Sequence, residues 1–348
     1  MSDQPLLTIG IPTYNRGHLL EGLLNCIVED LKSLENKDLV QIVVSDNKSI
    51  DNTANIVSRF NHIGCIDYFC NSENIGACNN VLKIGNELAK GKFCWIIGDD
   101  DLLRQGVLQY VLQTIVENEV VDIIYMNLTY ENDEERSVIS KTLPIVDSKI
   151  FCTLGTSQLL ENAQPLVDHT IYSALFTGIS SLIFKTQVWI DNFVGYQYDK
   201  PFQTLNVTFP HTVILSNSLI NKKVYYIAYP YLAFFVGAQE WLGEWPFLNF
   251  IRVLELSDLF QKLGSNKNFL TKYRQRVFEL SDEVYFQLVT KTILRYKKHF
   301  SFFNCFQKYM LDKNFINLNN RVKRRVVKFY AKKYLKLLGI RKFETANL

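Results

Sequence analysis

A chain of 348 residues can bury one large domain with a smaller one, or two medium domains. Its hydrophobic share of 47%, charged share of 21% and formal net charge of +3 are ordinary for a globular protein, so composition alone excludes a disordered or fibrous chain. No run approaches the ~18 apolar residues of a membrane span, and the start, MSDQPLLTIG, lacks the basic segment and apolar core of a secretion signal.

In chain order, Leu6–Ile11 is a β-rich run ended by Pro12, followed by the turn Pro12-Thr13-Tyr14-Asn15-Arg16. Leu19, Leu20, Leu23, Leu24 and Ile27 then recur at helical spacing. Leu39–Val44 reads as a second strand ending in Ser45-Asp46-Asn47, with Asp51 as the expected N-cap of a helix through Ile56 and Val57. Cys65–Cys70 is a third strand, Asn74-Ile75-Gly76-Ala77 a turn, and Asn79–Lys90 a helix. The fourth strand, Phe93–Ile97, breaks at Gly98 and runs into Asp99, Asp100 and Asp101.

Strand and helix thus alternate three times before the aspartates, which predicts an α/β fold with a mostly parallel sheet and right-handed crossovers. Polar residues gather where each strand ends, as they do at a nucleotide site on the carboxyl edge of such a sheet. Three adjacent carboxylates repel one another unless water or a cation lies among them, and their hard oxygen ligands suit Mg2+ or Mn2+. The bland alternative is a solvated acidic turn.

Farther on, Val107–Ile115 reads as a helix and Val120–Tyr130 as a strand. Residues 131–136 read as a solvated acidic loop, Phe176–Phe184 as a strand, and Asp191 as a helix cap. Pro210-His211 opens a helix over Thr212–Leu219, and Lys223–Phe235 is a long β run. From Trp245 the pattern turns helical, which places a domain boundary near residue 240 and gives domains of 1–240 and 241–348. The seven cysteines form no CxxC pair and read as reduced thiols of a cytosolic protein. Between Arg321 and Lys342 stand ten basic residues and no acidic one, beside an apolar stripe of Val322, Val326, Tyr330, Tyr334 and Leu337. Such a helix either packs on the protein with its charges in water or lies on an anionic membrane surface.

IPTYNR, VVSDNKSIDNT, NIG and WIIGDDDLL stand in the order and spacing of the family 2 glycosyltransferases, and the chain resembles that family over roughly residues 6–240. Within it, the DDD block, SSLIFKTQVW and Phe209-Pro210-His211 look most like the abequosyltransferases and related dideoxyhexose transferases of O-antigen synthesis. The resemblance implies a GT-A domain followed by a helical C-terminal region. It implies a Mn2+- or Mg2+-dependent transferase that moves a sugar from a UDP- or CDP-linked donor to a saccharide hydroxyl on a lipid carrier, working at the inner face of the cytoplasmic membrane, with no nucleic-acid partner.

Carried onto residues, the resemblance places Pro12, Thr13, Tyr14 and Arg16 near the nucleotide, Asp46 on its base, and Asn74 and Gly76 beside the sugar nucleotide. Asp99 and Asp100 fall on the donor ribose or sugar, and Asp101 with Asp99 on the metal. The family's usual form has Asp where this chain has Gly98, and Asn79 replaces a basic residue often found after the NxG turn. The acidic pair that commonly supplies the base is also missing, which leaves His211, Asp199 and Glu240 as candidates; the structural reading of His211 is a helix-start histidine. A sugar nucleotidyltransferase and a non-catalytic GT-A binding module are the competing readings. IPTYNRGHL lacks the glycine-rich basic loop of the first, and the intact carboxylates argue against the second.

Overall fold

The computed structural model describes residues 4–137, 143–170, 175–198, 200, 202–237, 243, 245–292 and 307–337. The chain divides into two compact units. One comprises Met1–Ile171 and Leu175–Gln239, the other Tyr172–Ala174 and Glu240–Leu348.

The first unit is built on a nine-stranded sheet. Its first strands are β1 (Leu7–Thr13), β2 (Val40–Asp46), β3 (Ile66–Cys70) and β4 (Phe93–Ile96). β5 (Leu102–Leu103), β6 (Ile123–Asn132), β7 (Gln158–Leu160), β8 (Leu182–Lys185) and β9 (Val224–Val236) follow. The order is β3-β2-β1-β4-β8-β6-β9-β5, with β7 against β9. The pairs β1–β2, β1–β4, β2–β3 and β6–β9 are parallel, while β8 runs antiparallel to both β4 and β6. β2 and β4 are buried along their whole length, which is why they read as continuous apolar runs rather than alternating ones. The chain winds outward from β1 through β2 to β3 and then returns to place β4 on the other side of β1. The switch point of the parallel half therefore lies between β1 and β4.

Helix α1 (Gly17–Leu31) buries Leu19, Leu20, Leu23, Leu24 and Ile27, the residues whose spacing predicted it. Helix α2 (Thr53–Ser58) starts one residue later than an Asp51 cap would place it. Asn52 takes the N-cap position, and Asp51 accepts the N–H groups of both Thr53 and Gly17, tying α2 to the start of α1. Helix α3 (Ala77–Lys83) continues through a π-helical turn to Leu88. Helix α4 (Val107–Glu117) follows the aspartates, and α5 (Thr186–Asn192) and α6 (Pro210–Asn221) come later.

Three local expectations are corrected. The strand read at Phe176–Phe184 is only Leu182–Lys185, because Ile179–Ser181 forms a helical turn that brings Ser180 to the aspartates. The stretch 131–136 is not uniformly solvated. Glu131 is buried at the end of β6 and paired with Lys149 at 2.9 Å. Asp191 caps nothing; it lies inside α5 and accepts from Gln187 one turn earlier.

The second unit is helical among its described residues. Helices α7 (Val253–Lys262), α8 (Lys267–Glu279), α9 (Asp282–Gln287) and α10 (Lys313–Leu337) are joined by an aromatic core in which Phe278 and Tyr285 both meet Phe315. No helix among the described residues is long and apolar enough to cross a membrane.

Two buried ions pin the region after the aspartates. Asp30, at the end of α1, accepts the N–H groups of Gly106 and Leu108, so a carboxylate caps the start of α4. Arg104 donates to the carbonyls of Leu143, Pro144 and Pro230 and to Thr129 Oγ1, clamping the segment to β6 and β9. Asp30→Ala leaves those two buried amides unbonded. It should cost roughly 2–4 kcal/mol in urea unfolding, with nucleotide affinity of the folded fraction unchanged. A loss below ~0.5 kcal/mol would mean water replaces the cap fully.

Candidate active site

The site is built where β1 and β4 diverge. Ile97 N–H bonds to the Gly10 carbonyl and keeps β4 aligned with β1 to its end, which delivers Asp99, Asp100 and Asp101 beside the turn that follows Thr13. All three carboxylates are buried, at 3, 7 and 1% exposure, so this is no solvated acidic turn.

Each carboxylate has a distinct surrounding. Asp99 accepts from Thr13 Oγ1 at 2.8 Å and from Arg16 Nη1 at 2.7 Å. Asp100 lies 3.4 Å from the same Arg16 nitrogen. Its carbonyl accepts from Arg136, whose guanidinium also bonds Asp133 and stacks 3.9 Å over the Phe235 ring. Asp101 Oδ2 accepts from Ser180 Oγ at 2.6 Å, while Asp101 Oδ1 is buried with no hydrogen-bond partner. Ser180 is itself set by Trp95 Nε1, which donates to its carbonyl, and its hydroxyl also accepts the Gly98 N–H.

Gly98 matters for space. A Cβ there would lie 2.8 Å from Asp100 Oδ1 and 3.3 Å from Asp101 Oδ2, so both carboxylates fold over the glycine. Among the described residues no three Asp, Glu, His or Cys side chains form a ready metal cage. The arrangement fits a different kind of site. Mg2+ and similar ions often take one or two carboxylates and complete their shell with water and substrate phosphates. Asp100 Oδ1 and Asp101 Oδ2 both lie over Gly98, and the other Asp101 oxygen, Oδ1, is an orphaned buried atom that a cation would satisfy. Asp99 has both oxygens engaged, one by Thr13 and one by Arg16.

The electrostatics agree. Burial pushes the Asp99 carboxyl up to about 6; Arg16 opposes that rise and the Asp100 charge adds to it. Burial raises Asp100 too, and it raises Asp101 well above the ordinary range with help from the Asp100 charge. These groups hold protons in the folded chain that the unfolded chain has already released.

Around them stands a polar edge. The Pro12–Arg16 turn is half-buried apart from Thr13, which is buried; Asn15 adopts a positive φ of 53° and bonds Ser49 and Ile50 on the neighbouring loop. Asp46 is 1% exposed and accepts from Ser49 N–H at 2.8 Å and Tyr68 Oη at 2.5 Å. Asn74 is exposed and accepts from Asn47 Nδ2 and from the Gly76 N–H. Behind it, Asn71 bonds Asn47 and Asn80, Asn80 bonds Ser45, and Lys83 donates to Asn71. Asn79 is used structurally, its side chain joining the Ile75 carbonyl and Gln197 N–H.

His211 begins α6, buried, with Nε2 3.0 Å from the Thr177 carbonyl; burial pushes its imidazole down to about 4. A carbonyl can only accept, so Nε2 carries the proton. This is the arrangement of a helix-start histidine with a structural bond. Asp199 and Glu240 lie outside the described residues. Sequence reasoning missed Ser180, Arg104, Arg136 and the asparagine cluster. For Ser180 and Arg104 the signal was present, as polar residues inside apolar runs.

Residues 8–172 match the family model described as Glycosyl transferase family 2. The chain is 32% identical over 216 residues to an abequosyltransferase, RfbV, of Salmonella typhimurium, covering 58% of this chain and 61% of that one. It is 33% identical over 112 residues to a GalNAc(5)-diNAcBac-PP-undecaprenol beta-1,3-glucosyltransferase of Campylobacter jejuni, covering 31% and 34%. The chain thus spans less than two thirds of the length of these relatives. Among solved structures it resembles S. aureus TarS, with a TM-score of 0.58 at 14% identity over 84% of this chain and 76% of that one. A TarS structure in complex with UDP-GlcNAc gives 0.54 at 15%, over 92% and 81%. At that identity the likeness speaks for the fold, which is that of the GT-A enzymes.

Raised carboxyl values fix a sign. The folded state binds more protons than the unfolded state between about pH 4, near the usual carboxyl value, and about 6, the Asp99 value. In chelator, the melting temperature should therefore lose this contribution as pH rises through that window. Asp99→Asn should flatten the profile over that window; a mutant curve parallel to wild type from about pH 4 to 6 would show that Asp99 does not carry the dependence.

Proposed function

We propose that this chain, whose residues 8–172 match the Glycosyl transferase family 2 model, moves a sugar from a nucleoside-diphosphate donor to a hydroxyl of a lipid-linked saccharide in surface-polysaccharide synthesis. The observation that carries this reading is the buried carboxylate trio at the β1–β4 switch point, held by Thr13, Arg16 and Ser180 and left with one unpaired oxygen.

In this reading the Pro12–Arg16 turn, with Tyr14, forms one wall of the donor pocket, and Asn74 and Gly76 form the other. Asp46 accepts from the base, using lone pairs left over from Ser49 and Tyr68. Asp99 orients the ribose or sugar and is itself oriented by Arg16 and Thr13. Asp101, with Asp100, holds Mn2+ or Mg2+, and such a cation offsets negative charge on the leaving diphosphate. Arg16 lies beside the same carboxylates and adds positive charge near that diphosphate.

The attacking hydroxyl needs a base within hydrogen-bond reach. The His211 ring is buried and its Nε2–H is committed to the Thr177 carbonyl, so the reading favours Asp199 or Glu240 over His211. A UDP-linked donor is supported by the TarS complexes with UDP and UDP-GlcNAc, and a lipid-linked acceptor by the name of the Campylobacter relative.

The test is a thermal-shift screen of UDP-, CDP- and GDP-sugars with and without Mn2+. The true donor should raise the melting temperature only with the metal, since binding stabilises by RT ln(1 + [L]/Kd). Asp101→Asn should abolish both the metal-dependent shift and transfer while the chain stays folded. Undiminished transfer in EDTA, or a fully active Asp101→Asn, would sink the metal reading.

The last helix bears on the acceptor. Phe315, Leu318 and Val322 of α10 are buried, and Arg321 and Arg325 pair with Asp282 and Glu283. The first half is therefore packed on its own unit. Farther along, the Tyr330 hydroxyl still donates to the Val289 carbonyl, while Val327 and Tyr334 are 50 and 64% exposed near exposed Lys332 and Lys333. We propose that this second half rests on an anionic membrane surface, each basic group adding about 1 kcal/mol at low salt. Lys332→Glu with Lys333→Glu should lower co-sedimentation with phosphatidylglycerol vesicles several-fold and leave soluble donor hydrolysis intact. Equal sedimentation of the double variant, or equal binding to neutral vesicles, would refute the surface role.

A further inference from the structure

A cleft of about 560 Å³ opens beside α1, lined by His18, Gly22 and Asn25 of that helix, by Leu102, and by Glu134 and Arg136 after β6. It borders the carboxylate block through the chain itself. His18 is two residues from Arg16, Leu102 directly follows Asp101, and Arg136 donates to the Asp100 carbonyl at 2.6 Å.

Gly22 is the unusual wall. It sits within α1, where glycine costs about 1 kcal/mol against alanine. Packing does not demand it, because an added Cβ would meet nothing nearer than Leu102 Cδ2 at 3.5 Å, an ordinary contact. What the missing side chain provides is open space in the cleft. The volume lies within the ~300–1,000 Å³ of small-molecule sites.

The lining selects a ligand class. Glu134 and Asn25 offer acceptors, and Asn25 and His18 offer donors. The Arg136 guanidinium is already committed to Asp133, Asp100 and the Phe235 face. A phosphate would face the Glu134 charge without a free guanidinium to oppose it. A neutral polyhydroxyl compound can both donate to and accept from these groups, while Leu102 and the bare Gly22 backbone present an apolar strip to its C–H face. We propose that this cleft binds a sugar residue of the acceptor saccharide; the inference rests on the transferase reading above, and it extends that reading to a second carbohydrate site beside the donor's.

The experiment is saturation-transfer NMR on the full chain with methyl glycosides of glucose, galactose, mannose and rhamnose, run beside thermal shift with UDP and CDP. At least one glycoside should give a signal that Gly22→Leu, which fills the cleft, loses, while its nucleotide shift stays at the wild-type value. Gly22→Ala should melt no lower than wild type, since its Cβ fits. Should Gly22→Leu fail to fold, Glu134→Gln and Asn25→Leu alter the same cleft from exposed positions and should weaken the same signal. Silence of all four glycosides with a chain that binds nucleotide, or a signal that survives these variants, overturns the cleft assignment and leaves the donor site standing. Absence of any nucleotide shift in the wild type fails the transferase reading instead.

Discussion

The contact between Arg16 and Asp99 is the constraint on which the site depends. Three adjacent carboxylates taken out of water raise one another's proton affinity, and nothing in the strand that delivers them offsets the charge. Arg16 comes from the other side of the switch point, at the end of the β1 turn, and reaches both Asp99 and Asp100. It thereby ties the start of α1 to the end of β4. Asp30, at the far end of the same helix, caps α4 on the exit side of the aspartates. One helix thus holds the carboxylate segment at both ends, with a cation at its N-terminus and an anion at its C-terminus.

The other half of the donor edge is arranged with neutral groups. Asn47, Asn71, Asn74 and Asn80 bond one another and the backbone across the ends of β2 and β3 and into α3. Amides both donate and accept, so a closed network of them can be satisfied without net charge. That leaves the Asn74–Gly76 turn fixed in shape and uncharged. Lys83, one turn beyond Asn79, is turned inward to Asn71.

Much of the fold was legible because its signals are local. Periodicity marked α1, and continuous apolar runs marked β1, β2 and β4. The aspartates could be picked out since they interrupt such a run. What was not legible depends on contacts far apart in sequence. The stretch Phe176–Phe184 has strand composition, yet Ser180 is drawn into a turn by bonds to Trp95, Gly98 and Asp101, some 80 residues away. Glu131 looked solvated among its acidic neighbours and is buried because Lys149 meets it there. His211 entered as a candidate base because the resemblance lacks its acidic pair there; its bond to the Thr177 carbonyl and its burial come from residues the local sequence does not show.

Gly98 joins these threads. The resemblance places an aspartate there, and this chain has glycine followed by Asp99, Asp100 and Asp101. An aspartate at 98 could not occupy the present geometry, since its Cβ alone would press within 2.8 Å of Asp100 Oδ1. With glycine, Asp100 and Asp101 close over the backbone, and Asp101 turns one oxygen to Ser180 and leaves the other bare. Ser180 supplies the hydrogen bond that holds Asp101, and it can do so only because residues 179–181 leave the β conformation that their composition favours. The departure from the family pattern at Gly98 and the broken strand at Ser180 are, physically, two sides of one packing solution.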